Sequence, residues 1–422
     1  MTMPLPLESI RILDVTQIWA GPYATRLLGD LGAEVIKVES IQRPDPERMA
    51  VGPNRSWLYP DFEPAERYFD RKAEFVEYNR NKYGMTLSLV DPRGVAAFKE
   101  LVKISDVIIE NFAVGVMQRF GLDYDDLKEV RPDIIMVSVA AFGRTGPESA
   151  YRGYGPLQEA LAGLASITGY TDGVPLELRE YYGDPTAGLF AASAVLAALW
   201  HRSRTGQGAL VDVSQRECVA AMLPELMLEH TMNQRTLGPI GNLHRRMAPH
   251  NCYPCKGKDT WITIAVRSDT EWQALCDVMG APELAGDPRF ATRDQRLEHR
   301  DALEALVGEW TVTQENHPLM HLLQSKKIAA AAVLAPPDVL QNPQYEARKF
   351  FPMVQHKEAG AYPQTGMPWK FSGIPNEVRM PSPLLGEHNR LILGELLGKG
   401  AEEIAELEGA GVIGDRPAGG PG

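Results

Sequence analysis

The chain has 422 residues, 44% of them hydrophobic and 23% charged, with a net charge of −12. That balance belongs to a globular protein of two or three domains and excludes a disordered chain. The acidic excess argues against nucleic acid or anionic lipid as a bulk partner, but leaves room for one anionic small molecule in a local basic pocket.

The four cysteines, Cys218, Cys252, Cys255 and Cys276, are too few and too unevenly spaced for a disulfide framework. A reducing, cytoplasmic setting is expected. Residues 1–10 lack the basic start and apolar stretch of a signal peptide. The longest uncharged apolar run, 187–200, is too short to span a bilayer and suits a buried helix.

In chain order, strands are predicted over 10–15, 35–38, 85–89, 106–109, 134–139 and 209–213. Helices alternate with them, the clearest being 22–31, opened by Pro22, and the one from Asp91-Pro92 through Lys103. Apolar strands in a βαβ series imply a parallel sheet covered on both faces. The segment 40–77 interrupts the series with Pro, Arg, Asp and aromatics, and a loop this long is usually functional. The pattern breaks in a linker over 236–249. A smaller α+β block follows, with a strand at 261–266 and helices at 270–279 and 300–310. Short strands resume from 328, then helical patterns at 389–397 and 401–407, and the tail 417–422 is expected to be disordered. The domains expected are therefore 1–225 with 328–422, a Rossmann-like α/β unit, and an inserted linker and small α+β domain at 226–327.

Several motifs bear on chemistry. Glu39 ends the second strand where a ribose-binding acid would sit, but the loop 16–22 holds one glycine and no GxGxxG. Cys252-Tyr-Pro-Cys255 lacks a second ligand pair for zinc and reads as two half-buried thiols. No HExxH or GxSxG occurs, and His388 reads as a capping or packing residue. Asp184-Pro185 opens the apolar run that ends at Trp200, so Asp184 reads first as a helix N-cap. The same position suits a nucleophile, because a helix N-terminus stabilises a carboxylate and its N–H groups can receive an oxyanion.

Taken together, the motifs resemble the class III (CaiB/BaiF-type) CoA-transferases across nearly the whole chain. They run from Leu13-Asp-Val-Thr16 and Ala20-Gly-Pro22 through Gly32-Ala-Glu-Val-Ile-Lys-Val-Glu39 and Asn79-Arg-Asn-Lys82. They continue in Asp106-Val-Ile-Ile-Glu-Asn-Phe112, Phe142-Gly-Arg-Thr-Gly-Pro147, Gly183-Asp184 and Leu384-Leu-Gly-Glu-His388. The resemblance implies that Asp184 attacks an acyl-CoA thioester and carries CoA to an acceptor acid through anhydride and aspartyl-CoA thioester intermediates. It implies CoA contacts at Trp19, Ala20, Asn111, Phe112, Arg119, Arg152 and Tyr154. It implies CoA esters as substrates, with no metal or resident cofactor. It also implies an intertwined, ring-like dimer, a homodimer or a heteromer. Core packing is the other reading of Phe112 and Tyr154, and a solvated helix face that of Arg119.

Departures narrow the substrate. Trp19 stands where the formyl-CoA enzyme has a glutamine, Ser40 replaces a CoA-contacting arginine, and 236–327 has no glycine run, so a formyl or oxalyl substrate is not expected. Trp57, Tyr59 and Phe62 in the 40–77 segment suggest a larger, more apolar acyl pocket. A racemase is the nearest rival, but Gly153-Tyr154-Gly155 stands where racemases of this type carry His and Asp. A non-catalytic subunit of a heteromeric transferase is the other alternative.

Overall fold

The computed structural model describes residues 3–49, 53–171, 173–178, 181–375 and 377–419. The chain divides into two compact units: Met1–Leu164, Glu177–Asn233 and Glu346–Gly422 in the first, Ala165–Leu176 and Gln234–Tyr345 in the second.

The first unit is built on six strands: β1 (Arg11–Asp14), β2 (Glu34–Glu39), β3 (Lys82–Thr86), β4 (Val107–Glu110), β5 (Ile135–Ala140) and β6 (Ala209–Ser214). They form one parallel sheet in the order β3-β2-β1-β4-β5-β6. Leu13 lies between Ile36 of β2 and Ile108 of β4 in register. Both faces are covered, as the near-continuous apolar strands require. One face packs on the helix Pro92–Lys103 through Ala97, Phe98 and Leu101; the other packs on the helices Ala20–Asp30 and Gly183–Thr205 through Leu28, Ala187, Ala191 and Val195. A Cβ at Gly188 would stand 2.7 Å from the Ala20 carbonyl oxygen, so glycine lets these two helices meet backbone to side.

The strand expected at 85–89 lies three residues earlier. Lys82 looks like a loop residue in sequence, yet it is fully buried because its ammonium reaches Asp14 of β1 at 3.0 Å. The segment 40–77 is not structureless. It contains short 3-10 turns at Pro60–Phe62 and Tyr68–Asp70 and the helix Ala73–Tyr78, and it has its own small core of Leu58, Tyr59, Tyr68 and Phe69 with Leu385. Buried ion pairs anchor it: Lys37–Asp45 at 3.0 Å, and Arg48 to Glu39 at 2.9 Å and to Asp70 at 2.6 Å. Glu39 is thus spent on Arg48, not available for a ribose.

The run 187–200 does lie within a helix, Gly183–Thr205, but only one side is buried. Leu189, Phe190, Leu196 and Trp200 are exposed, Trp200 by 66%. No helix among the described residues is long and apolar enough to cross a membrane. Gly84 N–H donates to His388 Nδ1 at 3.0 Å, so this histidine ties the chain's end to β3. The pattern expected at 389–397 forms a π-helical turn at Leu391–Leu396. In the tail, Ala418 N–H donates to the Ile41 carbonyl, and 420–422 lie outside the described residues.

The second unit has an antiparallel sheet of β7 (His250–Pro254), β8 (Trp261–Ala265) and β9 (Ala329–Ala332), packed on Trp272, Leu303, Val307 and Leu323. Its limits differ from the expected 226–327. β9 pairs with β8, which keeps the chain in this unit past 328, and Gly241 N–H bonds to Gly169 O, which brings 165–176 into it. Cys252 and Cys255 are free, and burial raises both thiols, so this CxxC is held as unreactive thiol.

Candidate active site

Sheet order fixes where a site can form. β1 is flanked by β2 on one side and β4 on the other, so the chain leaves its carboxyl end in opposite directions from those of β4. Ligands in open parallel sheets bind at such a switch point. Here the loop after β1 meets the loop after β4: Gln17 N–H donates to Asn111 Oδ1, and Asn111 Nδ2 donates back to the Gln17 carbonyl, both at 2.8 Å. The next residue, Ile18, has φ 68, a left-handed conformation that a β-branched side chain rarely adopts. Its N–H is held by Asp45 Oδ1 at 3.0 Å, which is how the 40–77 segment maintains that strained backbone.

Asp184 stands beside this loop. The N-cap expected there is not what forms: the helix begins at Gly183, Tyr182 is the N-cap, and no side chain caps it. Asp184 lies inside the first turn, and its carboxylate is held by groups on other elements. Gln215 Nε2 donates to Oδ1 at 2.9 Å, and the Gly155 backbone also bonds the carboxylate. A Cβ at Gly155 would lie 2.4 Å from Asp184 Oδ2, so this position must be glycine for the carboxylate to sit where it does. The turn itself is held from below: buried Glu159 accepts from Leu178 N–H at 3.2 Å and Gly183 N–H at 3.3 Å.

Among the described residues no cation pairs with Asp184. Burial pushes its carboxyl up to about 6, against the hydrogen bonds from Gln215 and Gly155, and Glu159 and Glu47 push in the same direction as burial. The helix N-terminus and two donors keep the anion accessible near neutral pH, while its weak solvation leaves it a stronger nucleophile than a surface aspartate.

Two cavities open on this carboxylate. One of about 540 Å³ is lined by Trp19, Trp57, Tyr78, Tyr181 and Lys72 among others. The second, of about 300 Å³, is lined by Asn111, Phe112, Arg152, Gly153 and Gln215 among others. Ile18, Tyr154 and Asp184 border both. Of the residues singled out in the sequence, Asp184, Trp19, Asn111, Phe112, Arg152 and Tyr154 therefore gather here. Ala20 is buried beside Gly188, and Arg119 is exposed on the short helix Val116–Arg119; neither lines these two cavities. Of the three aromatics expected to form an acyl pocket, Trp57 lines the larger cavity, Tyr59 packs in the small core, and Phe62 is exposed. Gln215, Gly155, Glu159 and Lys72 were not singled out. Gln215 carried a signal: it follows β6 directly, at a strand's carboxyl end.

A switch-point site holding a buried carboxylate that pairs with no cation among the described residues is the arrangement of an α/β enzyme. A family model described as CoA-transferase family III matches residues 7–389, and the chain belongs to that family. It is 34% identical over 410 residues to the succinyl-CoA–D-citramalate CoA-transferase of Chloroflexus aurantiacus, covering 97% of this chain and 98% of that protein. The succinyl-CoA:glutarate CoA-transferase of Mus musculus is 33% identical over 408 residues, covering 97% and 90% of the two chains. A crystal structure of a CaiB/BaiF family protein from Brucella suis superposes with a TM-score of 0.84 at 31% identity, covering 93% of this chain and all of that one.

Proposed function

We propose that this protein transfers CoA from an acyl-CoA to a carboxylic acid, with Asp184 as the nucleophile. The observation that carries this reading is the Asp184 carboxylate, buried and without a cationic partner among the described residues, at the border of two cavities over the switch point.

One Asp184 oxygen attacks the thioester carbonyl carbon, the C–S bond breaks, and CoA leaves as thiolate, giving an acyl-aspartyl anhydride. The thiolate then attacks the Asp184 carboxyl carbon and expels the donor acid, leaving an aspartyl-CoA thioester. An acceptor carboxylate attacks the same carbon and releases thiolate. The thiolate attacks the acceptor carbonyl of this second anhydride, forming the new acyl-CoA and restoring the Asp184 carboxylate. Each step exchanges one activated acyl bond for another, so no external energy source enters. Gln215 Nε2 and the Gly155 backbone hold the carboxylate at rest and are placed to stabilise charge on its oxygens as tetrahedral centres form.

In this reading the smaller cavity takes the CoA side, where Arg152 supplies positive charge and Phe112 an aromatic face. The larger cavity takes the acyl group. The exposed Leu189, Phe190, Leu196 and Trp200 favour a dimer, since a second copy gives them a surface to bury against. The enzyme works in the cytoplasm as a transferase without a resident metal. The test is transfer of CoA between supplied acyl-CoA and acid pairs, with deuterium uptake at the α carbon followed in the same mixtures. Acyl exchange without α exchange supports the reading; α exchange without acyl exchange makes the protein a racemase.

A further inference from the structure

The larger cavity has walls of a particular chemistry. Five aromatic rings face it: Trp19, Trp57, Tyr78, Tyr154 and Tyr181. Trp19 and Tyr78 form a parallel stack, 5.2 Å between centroids and 11° between planes, which makes one wall flat and rigid. Trp57 and Tyr154 are each 66% exposed, so their ring faces are not consumed by the core. Aromatic surface left uncovered at the mouth of a site is a binding surface for another flat, apolar group.

Its charges point the same way. Among the described residues lining this cavity, Lys72 is the one cation, and it is already engaged. Glu47 pairs with its ammonium directly, and Glu74 lies at 3.8 Å. Among the described residues, two carboxylates against one ammonium leave no free positive charge to receive an acid group on the far end of a substrate. Glu47 also lies near enough to Asp184 to push its carboxyl upwards as a negative charge. A second substrate carboxylate entering here would meet repulsion and an unpaid loss of hydration.

We infer that the acyl group this site selects is that of a monocarboxylic acid with a flat, uncharged tail, an arene or an equivalent conjugated group, and not a short aliphatic dicarboxylate. This rests on the reading of Asp184 as the nucleophile that takes up the acyl group. The carbonyl lies at Asp184, and the tail lies along the Trp19–Tyr78 wall towards Trp57. The cavity volume of about 540 Å³ exceeds what a four- or five-carbon diacid fills. The chain would then differ in acyl preference from relatives whose names specify citramalate and glutarate, within the same fold and chemistry.

The experiment compares three thioesters, 3-phenylpropanoyl-CoA, butyryl-CoA and glutaryl-CoA, by the rate at which each forms an adduct at Asp184. The full-length protein is used, with adducts trapped by hydroxylamine and read by peptide mass. The phenylpropanoyl thioester should react about tenfold faster than the glutaryl one, with butyryl between them. Trp57→Ala should lower the phenylpropanoyl-to-butyryl ratio about three- to tenfold, and Glu47→Gln should raise the glutaryl rate relative to butyryl. Glutaryl-CoA reacting as fast as phenylpropanoyl-CoA, or a ratio unmoved by Trp57→Ala, overturns the inference while leaving Asp184 as the nucleophile. Adducts from all three thioesters at a residue other than Asp184 overturn the reading of the nucleophile itself.

Discussion

Two buried aspartates, Asp14 and Asp184, belong to the same unit and meet opposite fates. Asp14 ends β1, fully buried, and burial alone would raise its carboxyl. Lys82 and Lys37, with hydroxyls from Thr16 and Thr25, outweigh that and bring it down to about 2. Asp184 is also largely withdrawn from water, but its described partners are an amide side chain and a backbone group, and it rises to about 6. Burial is thus not what sets these two carboxylates apart; the nearby cation is. The Asp14 network is a foundation. Lys37 Nζ reaches both the Thr16 carbonyl at 2.8 Å and Asp45 at 3.0 Å, and Lys82 Nζ reaches Asp14 and the Pro22 carbonyl, each at 3.0 Å. It fixes both ends of the loop that carries Ile18 and Trp19. At Asp184, by contrast, the carboxylate has no cationic partner among the described residues.

The contrast is broken most strongly at its reactive end. Asp184→Asn should lower transfer by roughly 10⁴-fold or more in a steady-state assay. The same variant should be more stable than the parent at pH 8. The sign follows from the raised value: the folded chain binds the Asp184 proton more tightly than the unfolded chain, so ionisation costs stability as pH rises from about 4 to about 6. The advantage of Asn should therefore vanish below about pH 4, as read from melting temperatures across pH.

At the structural end, Lys82→Met leaves Asp14 buried with one cation fewer. A loss of about 3–5 kcal/mol in urea unfolding is expected, because removing one partner of a buried pair strands the other. Between the two lies Gly155→Ala. Its methyl group would collide with Asp184 Oδ2, and a displaced nucleophile should cost about 10²-fold in kcat with little change in melting temperature. The smallest effect is expected at Gln215→Leu. Losing that donor destabilises the anion, so the pH–rate midpoint should move above about 6 and activity near neutrality should fall about tenfold, recovering at alkaline pH.

The sequence was readable where local pattern and tertiary role coincide. β1, β2, β4, β5 and β6 announce themselves as apolar runs, and Asp91 before Pro92 caps its helix as its residue types require. β3 begins ahead of its apolar run because Lys82 finds its counter-charge inside the fold at Asp14, 68 positions away. Asp184 carries the local signature of a cap; its position before a helix also suits a nucleophile, and the family's motifs tip the reading that way. Its true partners, Gly155 and Gln215, lie on separate elements that only the assembled fold brings together. Arg119 came from motif position alone, and no periodicity specified which way its short helix would face.

The central claim is that Asp184 becomes covalently acylated. Incubating the protein with an acyl-CoA, quenching with hydroxylamine and mapping the peptides by mass tests it directly. The account predicts a hydroxamate at Asp184 that appears only when acyl-CoA is present and is absent from Asp184→Asn. An unmodified Asp184 in a preparation that transfers CoA at full rate would contradict it.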